Sequence, residues 1–331
     1  MSSQHVAVIG AGAWGTALAL IAQRGGCAAT LYARRPELAA RIAVTRRNDD
    51  YLPGIDLPAG LTITSDLAAA LSADVVLYAQ PAQHFRTFCR TARPLWSAGL
   101  PLVLCAKGIE SASGLLLHEI AASELPAAPV AALSGPSFAA DVANGLPTAV
   151  AIVAEDPALV ALLMQALSHG AFRPYGAEDL IGTEVAGAVK NVYAIACGLV
   201  MGAGLGDNAR AALITRGLSE VTRLALAKGG RAETLMGLAG LGDLVLTCCG
   251  QKSRNMSLGM ELGQGKTLEA VLAARKSVAE GVTTAPAVVA LADRLGIEMP
   301  IAAAVNRILH GGSSLGAEVE GLLARPLRRE A

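Results

Sequence analysis

Along the first half of the chain, short apolar runs alternate with segments of helical spacing. Residues 6–9 are apolar and lead through a glycine turn into Ala and Leu, which favour helix. Residues 28–33, 61–65, 74–79, 100–106, 129–133 and 148–154 read as further strands, and 66–72 as a short helix. Polar clusters and two prolines make 41–57 a connecting loop. Strands alternating with helices predict a parallel, doubly wound sheet. From about Asp179 the strand-like runs stop, and Ala/Leu/Gly-rich segments of helical spacing continue to the end. The pattern predicts an α/β unit over 1–179, an all-helical unit over 180–331 and a frayed tail over 322–331, with no internal repeat.

The turn after the first strand is Gly10-x-Gly12-x-x-Gly15, between an apolar run and a helix-forming run. Gly10 lets the chain turn sharply, Gly12 leaves room for a pyrophosphate and Gly15 lets the helix pack closely. Phosphates then meet unpaired N–H groups at the helix N-terminus, as in a Rossmann-type dinucleotide site. The predicted second strand ends at Arg34-Arg35-Pro36, where an acidic residue would suit the ribose hydroxyls of NAD and arginine suits a 2′-phosphate. Arg34 and Arg35 therefore favour NADP; an exposed basic turn is the plainer reading.

Composition narrows the class. The 331 residues include 27 basic and 27 acidic side chains, so the chain lacks the basic footprint of a nucleic-acid or anionic-membrane binder. Hydrophobic residues make up 53% but aromatics only 3%, which predicts tight packing of small residues. No uninterrupted apolar run reaches the length of a membrane span, and the N-terminus lacks the basic start of a signal peptide. The six cysteines have neither metal-ligand nor disulfide-framework spacing. They read as reduced, mostly buried thiols of a cytoplasmic protein.

Several residues could carry chemistry. Lys107 follows a predicted parallel strand, at the sheet edge where ligands bind. Lys190 is enclosed by small and apolar residues on every helical face; desolvation would lower its pKa towards neutrality, whereas snorkelling would leave it ordinary. Asn191 adds a polar group that needs a partner in the same stretch. Asp243 closes a glycine-dense run one helical turn before Thr247, and N-capping is its simplest role. Ser253, Arg254 and Asn255 offer hydroxyl, guanidinium and amide in succession, suited to an anionic oxygen cluster. The five histidines show no matching acid and read as surface or packing residues.

Together these segments resemble the bacterial NAD(P)-dependent glycerol-3-phosphate dehydrogenases over nearly the whole chain. The similarity rests on GAGAWGTALA, YLPG, AKGIE, SGPSFA, EVAGAVKNVYAIA, GLAGLGDLVLTC, SRN and AEGVTT, in that order. It implies that the glycine-loop amides, including Ala13, and Trp14 hold the cofactor, with Arg34 near its adenosine end. Lys107 would touch substrate and cofactor, Gly135 and Ser137 would line the substrate pocket, and Ala139 would meet the cofactor through its backbone. Lys190 matches the family's proton-exchanging lysine, ordered by Asn191, Asp243 and Thr247. Ser253, Arg254 and Asn255 would bind substrate, Arg254 also facing the cofactor, and Val278 and Glu280 match nicotinamide-side contacts.

The chain departs from the family pattern at Ala13, where Ser is frequent, at Cys249, where Thr or Ser is usual, and at Gln80, where an apolar residue usually precedes Pro81. The implied reaction interconverts dihydroxyacetone phosphate and sn-glycerol 3-phosphate with NADP, or NAD, as cofactor, for glycerophospholipid synthesis. Alternatives are a ketopantoate reductase or hydroxyisobutyrate dehydrogenase of the same plan, which would not need Ser253-Arg254-Asn255 for a phosphate, and a nucleotide-binding redox sensor, which would not need the lysines. A homodimer is compatible with the Ala-rich helices, with no symmetry specified.

Overall fold

The computed structural model describes residues 4–275 and 279–326. Ten strands occur in chain order: β1 (His5–Ile9), β2 (Ala28–Tyr32), β3 (Arg47–Asn48), β4 (Leu52–Asp56), β5 (Thr62–Thr64), β6 (Val75–Tyr78), β7 (Leu102–Leu104), β8 (Val130–Ser134), β9 (Thr148–Ala154) and β10 (Phe172–Ala177). Eight form one sheet in the order β10-β9-β8-β7-β6-β1-β2-β5. Neighbours run parallel except β8 and β9, which pair antiparallel.

Side chains alternate across β1 into two cores. Val6 and Val8 pack with Leu31, Leu77 and Val103 on one face, while Ala7 and Ile9 join Val76, Tyr78, Leu102 and Leu104 on the other. The helix Ala13–Arg24 is buried in the first core and Phe85–Ala92 in the second. A strand covered on both faces needs no polar positions, which explains its continuous apolar sequence.

Three features of this half differ from what its sequence pattern predicts. Region 41–57 is not all loop: the preceding helix continues to Thr45, and Arg47–Asn48 pairs with Leu52–Asp56 as a small antiparallel sheet. Strand β10 escapes the hydrophobic pattern because FRPYGA carries Pro174 and Gly176, which an edge strand tolerates. The sheet is also mixed, since connection polarity is not encoded in the apolar pattern of a strand such as β9.

Beyond Ala177 no strand occurs among the described residues. Asp179 marks the change: its carboxylate accepts from Gly182 N at 2.9 Å, capping the helix Leu180–Gly202, and from Arg231 N at 2.8 Å. By length and composition alone this helix could cross a membrane, yet Glu184, Lys190 and Asn191 interrupt it and 89% of its most apolar window is buried inside the protein. It is the axis of the third core, which also takes in Ile109 and Leu116 from the loop after β7.

Glycines bring a second helix, Arg254–Gly263, almost into backbone contact with that axis. A Cβ on Gly198 or Gly202 would lie 2.1 or 2.2 Å from the carbonyl oxygen of Met256 or Met260. From the other side, a Cβ on Gly259 or Gly263 would lie 2.2 or 2.3 Å from Ile195 O or Leu199 O. This close approach fixes the start of one helix beside the middle of the other, and so sets Asn255 against Asn191.

Candidate active site

The glycine loop is shaped by backbone contacts. Gly10 has φ of 121°, a conformation side-chain-bearing residues rarely adopt, and its N–H donates to Tyr32 O at 3.0 Å. A Cβ on Gly15 would stand 1.8 Å from Gly10 O, so the helix can start this close only with glycine there. A Cβ on Gly12 would meet nothing within 4 Å, leaving open space over the helix N-terminus. No side chain caps that helix, so the first-turn amides, those of Ala13 and Trp14 among them, can receive a pyrophosphate. The loop therefore fits a dinucleotide.

Asn48 supports the loop from beneath, donating from Nδ2 to Ala11 O at 2.9 Å and to Thr16 Oγ1 at 2.8 Å. It lies in the segment read as loop, where nothing in the sequence signals such a contact. Trp14 is half-buried and packs on the first core, and its buried Nε1 has no partner among the described residues. Ala139 begins the helix Ala139–Ala143, which packs against Ala13–Arg24 and so lies close to the glycine loop. Arg34 is exposed just past β2, and Arg35 donates to the Tyr51 hydroxyl at 3.3 Å.

Beyond the end of β7, three distant segments meet on one carboxylate. Asp243 is 1% exposed; its Oδ2 accepts from Lys107 Nζ at 2.5 Å and its Oδ1 from Lys190 Nζ at 2.6 Å. Lys190 also donates to Thr247 Oγ1 at 2.8 Å, and that hydroxyl donates to the Asp243 carbonyl at 2.6 Å. Asp243 follows a π-helical turn, Leu238–Gly242, and its carboxylate serves the lysines rather than capping its helix, correcting the simpler sequence reading.

Burial is the main influence on Lys190, lowering its pKa to about 8; Asp243 pulls it up and the Lys107 ammonium pushes it down. Burial raises the Asp243 pKa, but the two lysines outweigh it and hold the carboxylate below its usual range. Lys190 is thus a buried amine that can exchange a proton near neutrality, and it does not snorkel.

The neighbouring residues divide into tied and free groups. Lys107 Nζ lies 3.4 Å from Gly135 O, which also accepts from Ser137 Oγ at 3.0 Å. Gly135 has φ of 145°, and a Cβ there would approach Val150 Cα to 2.9 Å. Ser253 caps its helix through Met256 N at 3.2 Å. Asn255 donates to Asn191 Oδ1 at 2.9 Å and accepts from Gly281 N at 3.0 Å, tying both helices to the start of Glu280–Leu295. Arg254 is exposed at the helix start with no ion pair among the described residues, free to meet an anion. Burial raises the Glu280 pKa, opposed by Arg254, Lys190 and Lys107, so the carboxyl belongs to the same electrostatic neighbourhood. Val278 lies outside the described residues.

One histidine does have an acid partner, contrary to the sequence reading. His118 Nδ1 meets Glu184, which also accepts from Leu117 N at 2.9 Å. Burial lowers the His118 pKa, but Glu184 more than reverses this and the net shift is upward. The partners are 66 positions apart, and only the fold joins them.

A glycine loop open to a dinucleotide, together with a buried lysine whose pKa is lowered to about 8, fits a nicotinamide-dependent oxidoreductase. Sequence comparison narrows that class. The family model for the NAD-dependent glycerol-3-phosphate dehydrogenase N-terminus matches residues 5–160 and the C-terminus model residues 179–320. A glycerol-3-phosphate dehydrogenase (NAD(P)+) of Rhodospirillum rubrum is 57% identical over 98% of this chain and 94% of its own length. Its counterpart in Caulobacter vibrioides is 55% identical over 100% of both chains. Among solved structures, a glycerol-3-phosphate dehydrogenase from Coxiella burnetii superposes with a TM-score of 0.94 at 40% identity, covering 98% of this chain and 99% of that one. The chain belongs to the NAD-dependent glycerol-3-phosphate dehydrogenase family.

Proposed function

We propose that the protein catalyses reversible reduction of dihydroxyacetone phosphate to sn-glycerol 3-phosphate with NADPH, or NADH, and that the product enters glycerophospholipid synthesis. The observation that carries this reading is the buried Lys107–Asp243–Lys190 group, with Lys190 lowered to about 8. When bound, the reduced nicotinamide supplies the hydride. Lys190, as ammonium, gives its proton to the C2 oxygen of the substrate, and Lys107 stabilises the charge that develops there. In the oxidative direction the neutral amine of Lys190 takes that proton back. Asp243 keeps the two lysines together without itself titrating near neutrality, and Thr247 fixes the direction of the Lys190 ammonium.

In this reading Arg254 binds the substrate phosphate, with Ser253 and Asn255 beside it, and Gly135 and Ser137 line the pocket. Ala13, Trp14, Arg34, Arg35, Ala139 and Glu280 face the cofactor. We assign residues 1–179 to dinucleotide binding and 180–331 to substrate binding, although the Lys107 loop belongs to the second by packing. Six free cysteines, five of them buried, are in keeping with a cytoplasmic enzyme, and a homodimer is a compatible assembly. The test is loss of NADPH absorbance on adding dihydroxyacetone phosphate, with ketopantoate and no substrate as comparisons. Turnover of ketopantoate instead of dihydroxyacetone phosphate would sink the proposal.

A further inference from the structure

Two glutamines leave the end of β6, and their side chains are used differently. Gln83 satisfies both ends of its amide inside the protein: Nε2 donates to Ile109 O at 2.8 Å and Oε1 accepts from Ser111 N at 3.0 Å. Gln80 is half-buried, yet its amide has no hydrogen-bond partner among the described residues. Its stem lies against the glycine turn, where a Cβ on Gly10 would be 2.8 Å from Gln80 Cγ. The segment carrying it is also held in place. Tyr78 Oη donates to Pro81 O at 3.1 Å, and a Cβ on Gly108 would come within 2.6 Å of Ala82 Cβ.

Location gives this free amide a meaning. The sheet order reverses between β1 and β6, and ligands of open α/β sheets bind in the crevice beyond the carboxyl ends at such a point. Arg34 closes β2 on one side of β1, whereas Gln80 closes β6 on the other. A dinucleotide whose pyrophosphate rests on the glycine loop, with its adenosine half towards Arg34, directs its other half towards Gln80.

We propose that the Gln80 carboxamide is a cofactor-recognition group that hydrogen-bonds the ribose–pyrophosphate portion on the nicotinamide side, the part that NAD and NADP share. This deepens the dinucleotide-binding reading and rests on it. A carboxamide offers both donor and acceptor, matching a ribose hydroxyl or a phosphate oxygen. Being neutral and distant from the 2′-position, it adds affinity without choosing between the cofactors. Its backbone is already ordered, so little conformational freedom is lost on binding.

Calorimetric titration of wild type, Gln80→Met and Gln80→Glu with NADPH, NADH, ADP-ribose and adenosine 2′,5′-bisphosphate tests the assignment. Met keeps the length and packing against Gly10 but lacks the amide. We expect it to weaken NADPH, NADH and ADP-ribose by a common factor of about three- to tenfold and to leave adenosine 2′,5′-bisphosphate unchanged. Glu, a carboxylate facing phosphates, should weaken the first three by about tenfold or more. Unaltered NADPH and NADH affinity in Gln80→Met would overturn the proposal and leave Gln80 a packing residue. An equal loss for adenosine 2′,5′-bisphosphate would overturn it too, pointing to damage in the glycine loop. Thermal unfolding checks that the variants fold, and Gln80→Leu serves the same comparison if Met disturbs the turn. Wild-type protein that binds none of these ligands would refute the dinucleotide reading itself, a result distinct from failure at Gln80 alone.

Discussion

The glycine loop and the lysine–aspartate centre both lie beyond the carboxyl ends of parallel strands, β1 and β7, but are built in opposite ways. The loop is a contiguous stretch that works through backbone amides and open space, and its glycines matter for what they lack. The centre uses side chains from the loop after β7, the middle of the helix Leu180–Gly202 and the start of the helix Asp243–Cys249, buried around one carboxylate. A site that binds a pre-formed anion needs donors and room. A site that moves a proton needs a group whose pKa has been shifted, and burial supplies most of that shift.

Substitutions at the two regions should separate binding from chemistry. The largest effect is expected at Lys190: Lys190→Ala should lower turnover by about a hundred- to ten-thousandfold while NADPH affinity is retained. Lys190→Arg should not restore it, because a guanidinium keeps its proton in this range. If a folded Lys190→Ala protein turned over at close to the wild-type rate, the centre would not be the proton-exchanging region and the contrast would collapse.

The pH dependence sharpens the same point. Reduction needs the Lys190 ammonium, so its rate should fall as pH rises through about 8, whereas oxidation needs the amine and should rise over that interval. Asp243→Asn removes the charge that pulls the Lys190 pKa up, so the limb for reduction should move down by roughly one unit or more. An unmoved limb in pH–rate profiles would mean that another group titrates.

Arg254 tests whether the helical side also reads the phosphate. Losing a hydrogen bond to a charged group costs about 1.5 to 3 kcal/mol, so Arg254→Ala should lower kcat/KM for dihydroxyacetone phosphate by about ten- to a hundredfold. For unphosphorylated dihydroxyacetone, a poor substrate already, the same substitution should do comparatively little. Equal damage to both substrates with NADPH affinity intact would remove the phosphate assignment.

The narrowest effect is expected on the cofactor side. Arg34→Ala should lower kcat/KM for NADPH by about ten- to a hundredfold and leave NADH nearly unaffected. Equal losses would show that Arg34 does not read the 2′-phosphate, and that the loop side discriminates nothing beyond the dinucleotide itself.

The sequence by itself determined the features that depend on neighbours along the chain. The apolar alternation gave most strands, the glycine spacing gave the tight strand–turn–helix loop, and the enclosure of Lys190 by small residues gave its burial. Each follows from local periodicity or from one residue type in a fixed conformation. Strand β10, broken by Pro174 and Gly176, and the antiparallel placement of β9 did not follow, because edge position and strand direction are properties of the assembled sheet. The same holds for the sharing of Asp243 by two lysines 136 and 53 positions away, the His118–Glu184 pair and the placement of Asn48 under the glycine loop. Those contacts arise where glycine-mediated helix packing and the three cores bring remote segments together. Burial, which sets the Lys190 pKa, exists only once that packing is complete.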